Sequence, residues 1–454
     1  MAVTGARTEK RRLLPGAAIV LIVAAILGGG GRSHALAELA INATALLVLA
    51  WLLAWPLPQR SRGAAAPLLL LAAGAALIAL QLIPLPAALW RALPGRELAS
   101  TIADQIGAGQ RAHPLTLDPP ATARALAVLL PGAAMLLLVV HMDLGERLGL
   151  VRVMIGCAVF SLLLGLIQFL TDGAVGTLYP EGHVGYATGL FANRNHQASF
   201  LLVAIALVSV FAIRRSLSTV LAVVLIMALA AGVVATTSRA GLLLLPFALL
   251  PMLFTHVRGR WLVPALVLLG IGLAVYGLVE SNAVVRVVIH RLRDGNMGRL
   301  LFWEDSWKAL VQYWPVGSGF GTFVKVFQTV EPLDHVGVNY VNHAHNEYIE
   351  ALLEGGLPAG LLIVAGLGWW LWTGFRIFRS KRRDAPLARA AWTGLGLLLL
   401  HSLVDYPARM LAIEAAGAML AGFMTVPAGA AGTSVRKPLP HSAPASLVPA
   451  GGMR

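Results

Sequence analysis

Charge is what this sequence has little of. Asp, Glu, Lys and Arg make up 12% of it, against about 25% in soluble globular proteins. Hydrophobic residues make up 58%, and the mean hydropathy is +0.77. One soluble core could not hide that much apolar surface, so an ordinary water-soluble enzyme is excluded. Cysteine is scarcer still. Cys157 alone is present, inside an apolar run, which excludes an internal disulfide and a thiolate metal cluster and leaves it as a small buried hydrophobe. There is no internal repeat. Acidic residues are outnumbered 21 to 35 by basic ones, for a formal net charge of +14. In a soluble chain that excess would point to nucleic acid. Here the basic residues stand in short clusters between apolar runs, the pattern of topology signals and headgroup contacts, so membrane lipids are expected as partners and nucleic acid is not.

What is present is a series of apolar runs, each of about the length that crosses roughly 30 Å of hydrocarbon as a helix. They fall near 13–29, 36–56, 65–83, 121–140, 152–170, 197–213, 218–236, 240–255, 261–279, 356–377, 386–404 and 409–426. Arg7, Lys10, Arg11 and Arg12 precede the first run, and with the small residues through Ala35 they resemble a signal peptide; an uncleaved first span is the reading preferred here. With the N-terminus in the cytoplasm, the even-numbered connections fall inside and carry Arg60 and Arg62, Arg147, Arg214 and Arg215, Arg258 and Arg260, and the basic stretch 376–383. The odd-numbered connections then fall outside, in the periplasm of a Gram-negative cell. The expected organisation is spans one to nine over 1–279, a large periplasmic loop over 280–355, spans ten to twelve over 356–426, and a disordered cytoplasmic tail over 427–454.

Two outer connections are long. The segment 84–120 is rich in proline and reads as an irregular loop with one short helix. Within 280–355, the stretch 298–310 repeats apolar residues at three- and four-residue steps and predicts an amphipathic helix at the interface. The glycine run that follows, 314–321, has no strand before it and no Lys-Ser/Thr after it, so it reads as a turn and not a phosphate loop.

Polar residues at the mouth of a membrane span are costly, and those gathered on one face are candidates for a site. On the outer face stand Asn193-Arg194-Asn195-His196, Thr236-Thr237-Ser238-Arg239, Arg299, His343 and His345, with Ser402 and Asp405. An outward arginine does nothing for orientation. Arg194, Arg239 and Arg299 suit a phosphate or diphosphate with their planar forks; snorkelling to headgroups or pairing with a carboxylate is the alternative. Asn346 suits a helix N-cap and Glu347 the positive end of the helix. Capping does not need His345. An imidazole, with an ordinary pKa of about 6.5, can take a proton from a sugar hydroxyl near neutral pH. A metal set of His343, His345 and Glu347 ranks lower, because residues two apart diverge on a helix.

Taken together, these stretches resemble the O-antigen ligase and polymerase superfamily of bacterial envelope glycosyltransferases. The resemblance rests on Phe191-Ala192-Asn193-Arg194-Asn195-His196, on Thr237-Ser238-Arg239-Ala240-Gly241, on Gly298-Arg299 with Trp303 and Pro315-Val316-Gly317-Ser318-Gly319-Phe320-Gly321, and on His345-Asn346-Glu347-Tyr348 leading to Glu354-Gly355-Gly356-Leu357-Pro358. His401-Ser402-Leu403-Val404-Asp405 resembles the family's tail. One departure is Ala359, which stands where the ligase pattern has a second glycine, and no Thr pair follows.

The apolar runs and the amphipathic stretch give an all-α polytopic membrane protein with about twelve transmembrane helices and interfacial helices in its large periplasmic loop, and the resemblance implies that it is GT-C-like. It implies a transferase that moves a glycan from a polyprenyl (undecaprenyl) diphosphate carrier to an acceptor hydroxyl outside the inner membrane. The acceptor would be lipid A-core or a growing glycan, and the anomeric centre would invert without a metal or other cofactor. His345 would be the general base. Arg239 and Arg299, joined by Arg194, would hold the diphosphate, with Asn193, His343 and Asn346 on the substrate, and Asp405 or Glu347 would orient the base. Ligase and polymerase both remain open. A lipid flippase or transporter is the competing class; it requires charges near the bilayer midplane, where these runs carry almost none.

Overall fold

The computed structural model describes residues 12–30, 34–253, 297–336 and 340–427. The expected ninth span at 261–279, the first part of the 280–355 loop and nearly all of the tail lie outside the described residues.

The described chain is mostly helical, as a backbone in hydrocarbon must be if every amide is to be satisfied locally. In order come α1 (Leu14–Leu27), α2 (Ala35–Leu53), α3 (Ala65–Leu80), β1 (Pro84–Leu85), α4 (Ala87–Arg91), α5 (Glu97–Gln105), β2 (His113–Pro114), α6 (Pro119–Ala127), α7 (Leu130–His141), α8 (Leu144–Leu170), α9 (Arg194–Ile213), α10 (Thr219–Ala235), α11 (Arg239–Leu244) and α12 (Leu250–Leu253). After the undescribed stretch follow α13 (Met297–Tyr313), α14 (Phe323–Val330), α15 (Glu347–Arg379), α16 (Ala385–His401) and α17 (Leu411–Phe423). Among the described residues, five helical stretches are long and apolar enough to cross a membrane: Ala35–Leu53, Pro119–His141, Leu144–Leu170, Arg194–Ile213 and Glu347–Arg379. This is a multi-pass, all-α membrane protein.

The bundle is built around α9, which is buried along nearly its whole length among α8, α10 and α16. Other helices keep large apolar residues on their outer faces, among them Leu47, Leu69, Val220 and Leu243. Such surface would aggregate in water and is what lipid requires. Proline explains two interruptions. The stretch 119–141 breaks just before Pro131, and 239–253 passes through a 3₁₀ turn (Leu245–Leu249) containing Pro246; each ring removes an amide donor and crowds the preceding turn.

The 84–120 segment is more ordered than its prolines suggest. Instead of one short helix it holds α4 and α5, closed by an antiparallel pairing of Pro84 with Pro114 and Leu85 with His113. Trp90 is buried against the His113 ring at 4.5 Å, and buried Arg96 donates to the Leu115 carbonyl at 2.6 Å. Proline there begins elements more than it breaks them, since Pro86 sits at the start of α4.

The amphipathic stretch forms α13, which has two apolar faces. Phe302, Ala309, Leu310 and Tyr313 pack with Phe323, Val326, Phe327 and Leu353 into a small core of their own. Leu300, Trp307 and Val311 stay exposed on another side, as a helix lying at an interface needs. The 314–321 turn clamps the start of α15: Gly319 N donates to Glu354 O at 2.9 Å and Leu357 N to Pro315 O at 2.8 Å. This close approach needs glycine at 356, where φ is +60° and a Cβ would lie 2.2 Å from the Pro315 oxygen.

Candidate active site

Asp405 is the buried centre at one end of the bundle. It stands between α16 and the 3₁₀ turn Pro407–Arg409 and is fully enclosed. His345 Nδ1 donates to its Oδ1 at 3.2 Å, the Tyr406 amide donates to the same oxygen at 3.0 Å, and Asn195 Nδ2 donates to Oδ2. Arg299 Nη2 stands 3.7 Å from Oδ2, and the buried His196 Nε2 stands 3.9 Å from Oδ1. Burial pushes the Asp405 carboxyl upward. The His345 hydrogen bond, with the facing His196 ring and the Arg299 guanidinium, outweighs it and holds the group well below the ordinary carboxylate range.

Each partner is delivered by a local feature. Asn346 caps α15 by accepting from Tyr348 N at 3.0 Å and Ile349 N at 3.1 Å, which places His345 at the mouth of that helix. His345 adopts a left-handed backbone, φ +51°, a conformation that costs a residue with a side chain about 1 kcal/mol or more. Trp303 from α13 donates to its carbonyl at 3.4 Å, and the Phe302 ring stacks on the imidazole with centroids 6.2 Å apart. Asn193 caps α9 by accepting from Asn195 N at 2.9 Å, and Asn195 then reaches Asp405.

The expected residues form two groups joined by the first turn of α9. His345, Arg299 and Asp405 make one. Arg194 and Arg239 belong to the other: Arg194 Nη1 donates to Thr237 Oγ1 at 2.6 Å and lies 4.4 Å over the Tyr186 ring. Thr237 has φ +53°, Ser238 caps α11, and half-buried Arg239 is the first residue of that helix. Adjacent residues of α9 therefore reach both groups, Arg194 the arginine turn and Asn195 the carboxylate.

Of the two carboxylates expected beside His345, Asp405 is in contact and Glu347 is engaged elsewhere. Glu347 accepts from Ser402 Oγ and from Ala408 N, the latter at 2.7 Å. His343 also faces away from Asp405, with Nδ1 on Glu350 Oε1 at 2.8 Å. Glu350 and Glu354 are buried, and Arg409 Nη2 bridges them at 3.1 and 3.0 Å.

Sequence reasoning missed Tyr406 and Arg409. The Tyr406 ring touches His343, His345 and His196, with centroids 4.2, 5.0 and 4.9 Å apart. Arg409 had a signal: it is the first residue of the expected run 409–426, at that run's outer mouth. Beside this cluster, against His343, Glu350 and Arg409, lies an open cavity of about 280 Å³ that also meets Arg124 and Glu38.

A family model described as O-antigen ligase matches residues 222–364. The chain carries an O-antigen ligase superfamily domain. That domain includes Arg239, Arg299, His343, His345, Asn346 and Glu347, while Asn193, Arg194 and Asp405 come from outside the matched stretch. No curated protein matches the chain. The family indicates function of the O-antigen ligase or polymerase type, glycosyltransferase-like and acting on lipid-linked glycan and polysaccharide.

Proposed function

We propose that the protein is an inverting glycosyltransferase at the outer face of the inner membrane, moving a glycan from a polyprenyl diphosphate to an acceptor hydroxyl. The observation that carries this reading is His345 Nδ1 on Asp405, with Arg299 on the same carboxylate. A carboxylate on Nδ1 keeps the proton there and leaves Nε2 as the basic atom. The acceptor oxygen attacks the anomeric carbon, its proton passes to His345 Nε2, and the bond from that carbon to the diphosphate oxygen breaks with its electron pair going to the diphosphate. Arg239, Arg299 and Arg194, with the positive end of α9, offset the charge that grows there, a role divalent metals fill in other enzymes. Asn193, His343 and Asn346 lie around the same mouth and complete the substrate site. N- and C-termini are then cytoplasmic, and lipid A-core or a growing glycan is the acceptor.

Ligase transfer is the first reading. Polymerase activity is the second, favoured by Ala359, which departs from the ligase pattern and packs toward Gly355. The test is transfer by purified protein from a defined polyprenyl-diphosphate glycan to candidate acceptors, with and without EDTA. His345→Ala and Arg239→Ala are each expected to abolish transfer at normal protein levels; near-wild-type transfer by the His345 variant removes the base from this scheme.

A further inference from the structure

The other end of α15 carries a second cavity, of about 630 Å³. Beyond the Gly356 kink the helix runs roughly 35 Å at 1.5 Å per residue, about the thickness of the hydrocarbon, so this cavity opens at the membrane face opposite His345. It is lined by Trp372 and Arg376 of α15, Arg382 and Asp384 ahead of α16, Arg62 ahead of α3, and Thr425 after α17.

Direct contacts hold its walls. Trp370 and Trp392 stack with centroids 4.4 Å apart and planes 2° from parallel, and each ring N–H donates to the other's carbonyl, at 3.1 and 2.9 Å. Arg62 pairs its backbone with Val426 in both directions.

The charge in this cavity is unbalanced. Arg382 is matched by Asp384 in a two-point pair at 3.0 and 2.6 Å. Arg62 and Arg376 are exposed and pair with no carboxylate among the described residues. Behind Thr425 stands Arg147, fully buried, whose guanidinium donates to neutral groups: Thr425 O at 2.8 Å, Ser61 Oγ at 2.7 Å, Thr425 Oγ1 at 3.0 Å and Val139 O at 3.1 Å. Asp384 and Asp143 already act on it through space, so the cations of this cavity left without a carboxylate are Arg62 and Arg376. Apolar surface continues from the rim, since Trp372, Leu371 and Leu69 are all exposed. A free phosphate needs no such surface, and a phospholipid does.

We propose that this cavity binds the headgroup phosphate of an anionic phospholipid between Arg62 and Arg376, with the acyl chains on the outer faces of α15 and α3. Basic pockets between transmembrane helices and interfacial tryptophans have this use in general.

The test is lipid titration of the purified full-length protein in detergent, read by native mass spectrometry and thermal shift. The probes are cardiolipin, phosphatidylglycerol, phosphatidylcholine, and inorganic phosphate as the chain-free anion. Wild type should retain the two anionic lipids and gain thermal stability from them. The double variant R62Q/R376Q should bind them about twenty-five-fold more weakly, at about fivefold per arginine. R62K/R376K should keep most of the binding, which separates lost charge from misfolding. Equal retention by wild type and R62Q/R376Q overturns the proposal. So does phosphatidylcholine binding as well as the anionic lipids, or inorganic phosphate reproducing the whole stabilisation.

Discussion

Replacing Asp405 by Asn tests the orientation of His345 most directly. The wild-type carboxylate accepts from His345 Nδ1 at 3.2 Å, from Tyr406 N at 3.0 Å and from Asn195 Nδ2, with Arg299 3.7 Å away. Asparagine keeps the shape, loses the charge and presents one oxygen and one NH₂ to a ring of donors. With the NH₂ toward His345, Nδ1 must accept, and the imidazole proton moves to Nε2, the atom that has to receive the acceptor's proton. With the NH₂ toward Asn195 and Arg299, donors face donors in a buried space. The same substitution in a Ser-His-Asp triad costs about 10⁴-fold in kcat through the wrong tautomer. Here the expected loss is about 10²- to 10⁴-fold, roughly 2.7 to 5.4 kcal/mol of transition-state stabilisation. The assay is initial-rate transfer with purified protein at varied donor, and the loss should fall on kcat more than on donor KM, because Arg194 and Arg239 are untouched. Glu347→Gln should leave kcat within about tenfold, since Glu347 binds Ser402 and Ala408. A folded Asp405→Asn protein with kcat within about threefold of wild type would refute the reasoning.

Three other outcomes follow from the same geometry. Because the Asp405 carboxyl is held below its unfolded value, its contribution to stability is complete above about pH 4 and is lost as pH falls through the folded value; thermal melts should show wild type losing stability below about pH 4 with a steeper slope than Asp405→Asn. Arg409→Gln leaves Glu350 and Glu354 buried without a cation and should cost about 3–5 kcal/mol, seen as a lower Tm and less protein in the membrane. Gly356→Ala places a Cβ against the Pro315 oxygen at a positive φ and should cost about 2 kcal/mol or more, with Tm and transfer falling together as the 314–321 turn comes away from α15.

The membrane class and the place of most helices followed from the sequence alone, because hydrocarbon imposes one rule on every apolar run: satisfy the backbone within the segment. Loop polarity likewise singled out His345, Arg194, Arg239, Arg299 and Asp405, since charge at a span mouth is costly unless it is used. Asn346 and Glu347 were legible as a helix start because capping depends on neighbours one to three residues away. Tertiary structure alone decided which of these residues meet. Asp405 lies sixty positions from His345 and about two hundred from Asn195, and no local pattern says which of two carboxylates a histidine will find. Packing chose Asp405 for His345, Glu350 for His343, and Ser402 and Ala408 for Glu347. It also made Tyr406 the ring shared by three histidines and set Arg147 behind an arginine-lined cavity at the other end of α15. Those choices depend on how helices cross, and helix crossing is written in the shapes of side chains that are apolar, interchangeable and silent about their partners.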